Sequence, residues 1–329
     1  MNKLVFSVLL IVTFLGSCSK DDDCSCKDGN SSDLITPELA QMMVSTTTST
    51  TPFTGALMVY PCLDDTTLYY GNYSRSGTLS PINAMYTVNG GSVYNAALPV
   101  KLPLGEYSLL YWAIPKNSQV DSTYDATSIN EPGLRIGVNL AELYLSLRKE
   151  SYSDTTYTPV YDYLHAIDPI DIGSEKMQAT LKRAVTGLKI TLVNKDGDKM
   201  DESIVSARIL IGDIASRLNY YTAEPSDFTK TVAFPLDMAA DSMSMSANST
   251  VMVFPSADNP PLTILLILKN GQVKRFQKPL ANALVAGNRL TLNVTLGELY
   301  SEETSSDGFK VENWTETTEN IDFSTSAAS

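Results

Sequence analysis

Arg289-Leu290-Thr291-Leu292-Asn293-Val294-Thr295-Leu296 decides the fold class. A period of two places Leu290, Leu292, Val294 and Leu296 on one face of a β-strand and the polar residues on the other. Working outward, the same grammar recurs along the chain. Residues 187–193 alternate Leu188, Ile190 and Leu192 against Lys189 and Thr191, and residues 204–211 read as a further strand. Residues 262–269 turn at Asn270-Gly271 and return through 272–276, while 84–88 meet 92–94 across Asn89-Gly90-Gly91. Asn and Gly accept the positive φ that tight hairpin turns demand. Residues 55–60 form a strand stopped by Pro61, and residues 105–113 carry apolar side chains on both faces. Residues 115–132 read as a long loop. Residues 45–51, rich in Ser and Thr, are either a flexible piece or an exposed edge strand. Only residues 136–147 have some helical character, and 144–147 fit a strand equally well. Short strands separated by turns predict an all-β chain of sandwich type.

The first seventeen residues follow another grammar. Lys3 precedes an apolar run from Leu4 to Leu15, too short to span a bilayer, which reads as a signal peptide. Leu15-Gly16-Ser17-Cys18 places small residues before a cysteine, the pattern of a bacterial lipobox. Cys18 then becomes a lipidated N-terminus whose two or three acyl chains suffice for stable anchoring. Ser19-Lys20-Asp21-Asp22-Asp23 follows, an acidic run resembling a surface-export signal of Bacteroidota lipoproteins. The segmentation expected is a signal peptide over 1–17, a lipidated tether over 18–33, an N-terminal domain over 34–174 and a C-terminal domain over 175–329.

Composition narrows the function. With 37 acidic against 24 basic residues the chain carries a formal charge of −13, which excludes phosphate-binding surfaces for nucleic acid. Cys24, Cys26 and Cys62, with His165 as the one histidine, are too few for a zinc site at regular spacing. Cys24 and Cys26 are close enough in sequence to form a tether disulfide. Catalytic signatures are scarce: a triad would have to use His165, no Gly-x-Ser-x-Gly elbow occurs, and no P-loop occurs. The acidic cluster of Asn194, Asp196, Asp198, Asp201 and Glu202 lacks the spacing of a calcium loop and reads as turn chemistry. No cofactor is expected. The 17 tyrosines either pack in strands or present a ligand-binding surface.

The order of features resembles the fimbrillin superfamily of Bacteroidota, the subunits of type V pili, and within it the FimB-like anchor group. The resemblance rests on the lipobox, the acidic tether, Leu104-Gly105-Glu106-Tyr107-Ser108-Leu109, and Asp162-Tyr163-Leu164-His165. It rests further on residues 181–190, Asn288-Arg289-Leu290-Thr291-Leu292-Asn293-Val294 and a late Trp314. It implies two tandem transthyretin-like β-sandwich domains after the lipoprotein signal and tether, and assembly by strand exchange. In stalk subunits a trypsin-like protease cuts after an arginine and frees a groove. Here no arginine lies between Cys18 and Arg75, so the first strand and the lipid are expected to stay. The expectation is then a non-enzymatic base subunit in the outer membrane, exposed on the cell surface and partnered by a fimbrial stalk subunit. Its strand-exchange tail would comprise Val311, Trp314, Ile321 and Phe323, although a last strand docked on its own body fits those residues as well. The alternative is a surface lipoprotein that binds a glycan or other ligand through its loops. A surface hydrolase is a weaker third.

Overall fold

The computed structural model describes residues 34–46, 48–69, 72–73, 79–80, 84–116, 129–247, 249–296 and 315–323. In chain order its strands are β1 (Leu39–Ser45), β2 (Thr50–Pro52), β3 (Gly55–Leu63), β4 (Thr67–Leu68), β5 (Asn72–Tyr73), β6 (Leu79–Ser80), β7 (Ala84–Asn89), β8 (Ser92–Leu98), β9 (Gly105–Pro115), β10 (Tyr144–Ser146) and β11 (Thr156–Tyr157). They continue as β12 (Leu164–Ile172), β13 (Met177–Arg183), β14 (Thr186–Asn194), β15 (Ile204–Asn219), β16 (Pro225–Met238), β17 (Ser244–Ser246), β18 (Val251–Val253), β19 (Pro261–Leu268), β20 (Val273–Pro279), β21 (Asn288–Leu296) and β22 (Thr315–Phe323). Among the described residues helical geometry is confined to two 3-10 turns, Leu140–Glu142 and Lys195–Gly197. The first occupies the stretch with helical character and leads directly into β10.

The first sheet runs β2-β1-β13-β12-β9-β3-β7-β8, with β4 beside β3. It folds over between β12 and β13, which pair only at Leu164↔Arg183 and His165↔Lys182 and then separate. From there β12 follows β9 as far as Ile172↔Gly105, while β13 runs parallel to β1. The two layers close on a core that includes Met42, Leu57, Tyr86, Leu109, Tyr111 and Leu181. The second sheet runs β20-β19-β15-β16-β17-β14-β21-β22, with β10 on β15, β11 on β16 and β18 on β14. Its layers are joined by β16, which pairs with β15 and then, at Asp237 and Met238, with β17. Ile190, Ile209, Phe234, Val253, Ile264 and Leu292 fill the space between them. The chain is therefore all-β, with two β-sandwich bodies. Burying each such side chain contributes about 1.5–3 kcal/mol, which is why the alternating strands are pinned in register.

The sheets do not change over where the domain boundary between 174 and 175 was expected. Met177–Arg183 belongs to the first sheet, so the changeover lies between Arg183 and Thr186. In the other direction β10 and β11, from the first half of the chain, pair with β15 and β16 of the second sheet. The physical reason is that Met177, Ala179 and Leu181 alternate toward the first core, where they cover Met42 and Val44 of β1. The two expected hairpins are present, β7–β8 with Gly90 and Gly91 at φ 57° and 82°, and β19–β20 with Gly271 at φ 82°. Residues 45–51 are neither reading in full: Ser45 ends β1, Thr50 and Thr51 open the edge strand β2, which returns antiparallel along β1, and Thr46, Thr48 and Ser49 are not in a strand.

β9 joins the bodies because both of its faces are buried. Leu109, Tyr111 and Ala113 point into the first core, and Leu110 and Trp112 contribute to the second. The β15–β16 turn packs against that second face. Its Tyr220 carbonyl accepts a hydrogen bond from Trp112 Nε1 at 3.0 Å, and the Tyr221 hydroxyl pairs with Ser108 Oγ at 3.0 Å.

Candidate assembly interface

An all-β protein meets partners most readily at its sheet edges, where backbone groups are unpaired. Among the described residues the path of the first sheet ends on β2 and β8, and that of the second on β20 and β22. β20 carries Lys274, Arg275 and Lys278, charges that discourage edge pairing. β8 is exposed along almost its whole length, with Tyr94 79% exposed. β22 is different, because it is the last strand of the described chain.

β22 lies parallel to β21 in unbroken register, from Asn288↔Thr315 to Leu296↔Phe323. Parallel neighbours need a return connection of a dozen or more residues, which residues 297–314 supply. Ile321 sits opposite Val294 and is 2% exposed, part of the second core. Glu319 sits opposite Leu292, and its Oε1 accepts a hydrogen bond from the Ala281 backbone N–H at 2.8 Å. Its other oxygen is buried with no hydrogen-bond partner among the described residues, as is Asn293 Nδ2. Among the described side chains of the strand Ile321 is thus the apolar anchor, and two unsatisfied polar atoms lie at the seam, one on β22 and one on β21.

Of the residues expected to form the tail, Ile321 and Phe323 lie in β22, docked on their own body, and Val311 and Trp314 lie outside the described residues. Cys18 and Ser19, Lys20, Asp21, Asp22 and Asp23 also lie outside them, as do Cys24 and Cys26. Cys62 is a free thiol, fully buried, and burial pushes its pKa up to about 12.

His165 belongs to the joint between the bodies. Its Nε2 lies 2.7 Å from the Tyr221 carbonyl, so the neutral ring donates there, and its ring centroid is 4.8 Å from that of Trp112. Burial depresses its pKa to about 4, the bond to Tyr221 opposing the shift. A neutral imidazole with Nε2 committed to a carbonyl is a structural group. Sequence reasoning isolated His165 as a lone histidine and missed its partner. The signal lay in the adjacent Tyr220-Tyr221 after Asn219, a turn whose aromatic residues need somewhere to pack. In the acidic cluster, Asn194 Oδ1 accepts from Lys195 N and Asp201 Oδ1 from Ser203 N, so both residues shape turns.

Nearby, Asp162 is 4% exposed and both its oxygens accept from Arg183 Nε, at 3.1 and 3.2 Å. Burial raises its pKa, and the Arg183 charge works against that rise. The pair sits where β13 leaves β12, holding the fold-over point closed.

Against protein-family models, residues 38–320 match the fimbrillin-A associated anchor proteins Mfa1 and Mfa2. The chain belongs to that family. The match runs from the start of β1 into β22, so it takes in both bodies and the docked strand as far as residue 320. The family is one of structural fimbrial anchors, associated with fimbriae of the cell surface, and not an enzyme class. No curated protein sequence matches the chain. Among solved structures, a candidate adhesin from Bacteroides ovatus is similar at 10% identity, covering 93% of this chain and 98% of its own, with a TM-score of 0.47. A candidate cell adhesion protein from Bacteroides uniformis shares 16% identity over 84% of this chain and 97% of its own, with a TM-score of 0.45. The fimbrial anchor protein Mfa2 from Porphyromonas gingivalis shares 12% identity over 73% of this chain and 80% of its own, with a TM-score of 0.44.

Proposed function

We propose that this chain is the base subunit of a type V fimbria, held in the outer membrane by lipid on Cys18 and joined to a stalk subunit through its C-terminal strand. The family match supports the anchor role. The lipobox, the acidic run behind it and the absence of arginine between Cys18 and Arg75 support retention of lipid and leader strand. The observation that carries strand donation is the position of β22. Among the described residues it is an edge strand with β21 as its one sheet neighbour, so its departure breaks the β21–β22 pairing alone and leaves the rest of the sheet intact. Donation to a neighbour uses the same backbone groups and presents alternate side chains, the usual chemistry of strand addition.

The test is a reversible lock. Thr291 and Thr318 are register partners across the β21–β22 seam, so Thr291→Cys with Thr318→Cys ties the strand to its own body. Under oxidising conditions the locked chain should fold and reach the surface but leave fimbriae shed into the medium. Reductant should restore attachment. Fimbriae that stay attached to locked subunits would refute donation by β22. Mass spectrometry of the native N-terminus tests the anchor separately: a chain beginning at acylated Cys18 is expected, and one beginning inside the body would refute it.

A further inference from the structure

The fold-over between β12 and β13 leaves a cleft of about 470 Å³ at the open edge of the first sandwich, bounded by Ala40, Tyr111, Asp168, Glu175, Lys176 and Gln178. Asp168 is out of pattern there. It shares a face with Leu164, Ile170 and Ile172, all buried apolar residues, so the strand's inward face carries a carboxylate at this one turn of the pleat. The register sets it beside Tyr111 on the neighbouring strand, since Ala166 opposes Tyr111 and Asp168 opposes Leu109. Tyr111 is itself 0% exposed, lines the cleft, and has a hydroxyl with no hydrogen-bond partner among the described residues. An unpartnered buried hydroxyl is uncommon in a folded protein and points to a group that is absent from the free molecule. Burial, with the like charge of Glu175, holds the Asp168 carboxyl above its ordinary range, a state that an incoming cation would relieve. Lys176 does not serve as that cation, because its Nζ pairs with Glu38 at 2.7 Å.

We propose that this cleft is a binding slot for a primary ammonium group, presented as a lysine side chain by a partner protein. The Asp168 and Glu175 carboxylates accept only, and the Tyr111 hydroxyl oxygen can accept beside them, which suits a group with three donors and one positive charge. The negative ground continues past the slot, since an adjoining cleft shares Glu175 and adds Asp64, Asp65, Glu106 and Asp171. A lysine-bearing segment therefore meets complementary charge beside its anchor, along the adjoining cleft. A metal ion is the poorer fit: among the described residues no three His, Cys, Asp or Glu side chains come together in a metal-holding group. The edge is also poorly suited to accept a strand, because Pro169, central in β12, lacks a backbone N–H. This inference is independent of the fimbrial role and of β22.

Calorimetric titration of the full chain with pentalysine at ~0.15 M salt tests it. Asp168→Asn with Glu175→Gln should weaken binding about tenfold, against less than about threefold for the equally charge-reducing pair Glu202→Gln with Asp258→Asn. Tyr111→Phe should weaken binding a few-fold while leaving the unfolding midpoint unchanged or raised, since it removes an unpaired buried hydroxyl. Equal losses in the two double variants would overturn the slot in favour of general surface attraction. Full affinity in Tyr111→Phe would overturn the tyrosine's part in it. Binding of calcium without pentalysine would overturn the ammonium assignment, and spermidine binding more tightly than pentalysine would overturn the protein source.

Discussion

His165 has lost most of its water to Trp112 and the Tyr220-Tyr221 turn, and its ionisation is linked to folding. Its folded pKa, about 4, lies below the ordinary value of 6.5, so the unfolded chain takes up the proton first as pH falls. The stability this group contributes is therefore fully present above pH 6.5 and is lost as pH falls from 6.5 toward 4. The gap corresponds to up to about 3 kcal/mol. Urea midpoints measured across that window should fall for the parent chain and fall less for His165→Gln. Asp162 has the opposite linkage. Because its folded pKa is raised, protonation favours the native state at low pH and that contribution disappears as pH rises. Arg183→Met leaves the carboxylate buried alone, with an expected cost of about 3–5 kcal/mol at neutral pH and a smaller one at pH 4, read from the same denaturation series. Sequence made these residues visible as types but not as partners. His165 and Tyr221 are 56 positions apart, and only the fold brings them together.

Strands and hairpins were the most legible level. The alternation of residues 289–296 and the Asn-Gly turns required only local chemistry, and both are present. Of β22 only Ile321–Phe323 was legible as strand-like: the polar residues 315–320 carry no apolar alternation, and nothing in them says that they run parallel to β21. Close approach of backbones was not legible either. Gly55, at the start of β3, faces the end of β9, where a Cβ would overlap the Ile114 carbonyl oxygen and lie 2.8 Å from Pro115 Cα. Gly55→Ala must push β3 away from β9, the strand that joins the two bodies. A loss of about 1–3 kcal/mol is expected, with hydrogen exchange quickened at Ala56–Val59 and unchanged in β19 and β20.

For the whole molecule, two sandwiches could be counted from the sequence, but their borders could not, because strands cross between the halves of the chain. Residues 175–183 carry the same period-two pattern whichever core they face, so alternation alone cannot assign β13 to a sheet. The exchange of β10, β11 and β13 has a measurable result. A chain divided between residues 174 and 175 gives a first piece without β13, exposing Met42 and Val44, and a second without β10 and β11. Neither piece should show a cooperative thermal transition alone, and mixing the two should restore one. An intact transition in either piece would show that the crossing strands are dispensable. The parallel seating of β22 has a different kind of consequence, one of reach. Once lifted off β21, residues 297–323 extend to at most ~90 Å from Leu296, and the vacated site stays on the same chain. For that tether length the strand sees its own site at an effective concentration on the order of millimolar. Its home position is thus a built-in competitor, and a partner groove holds the strand only when its grip outweighs that local supply.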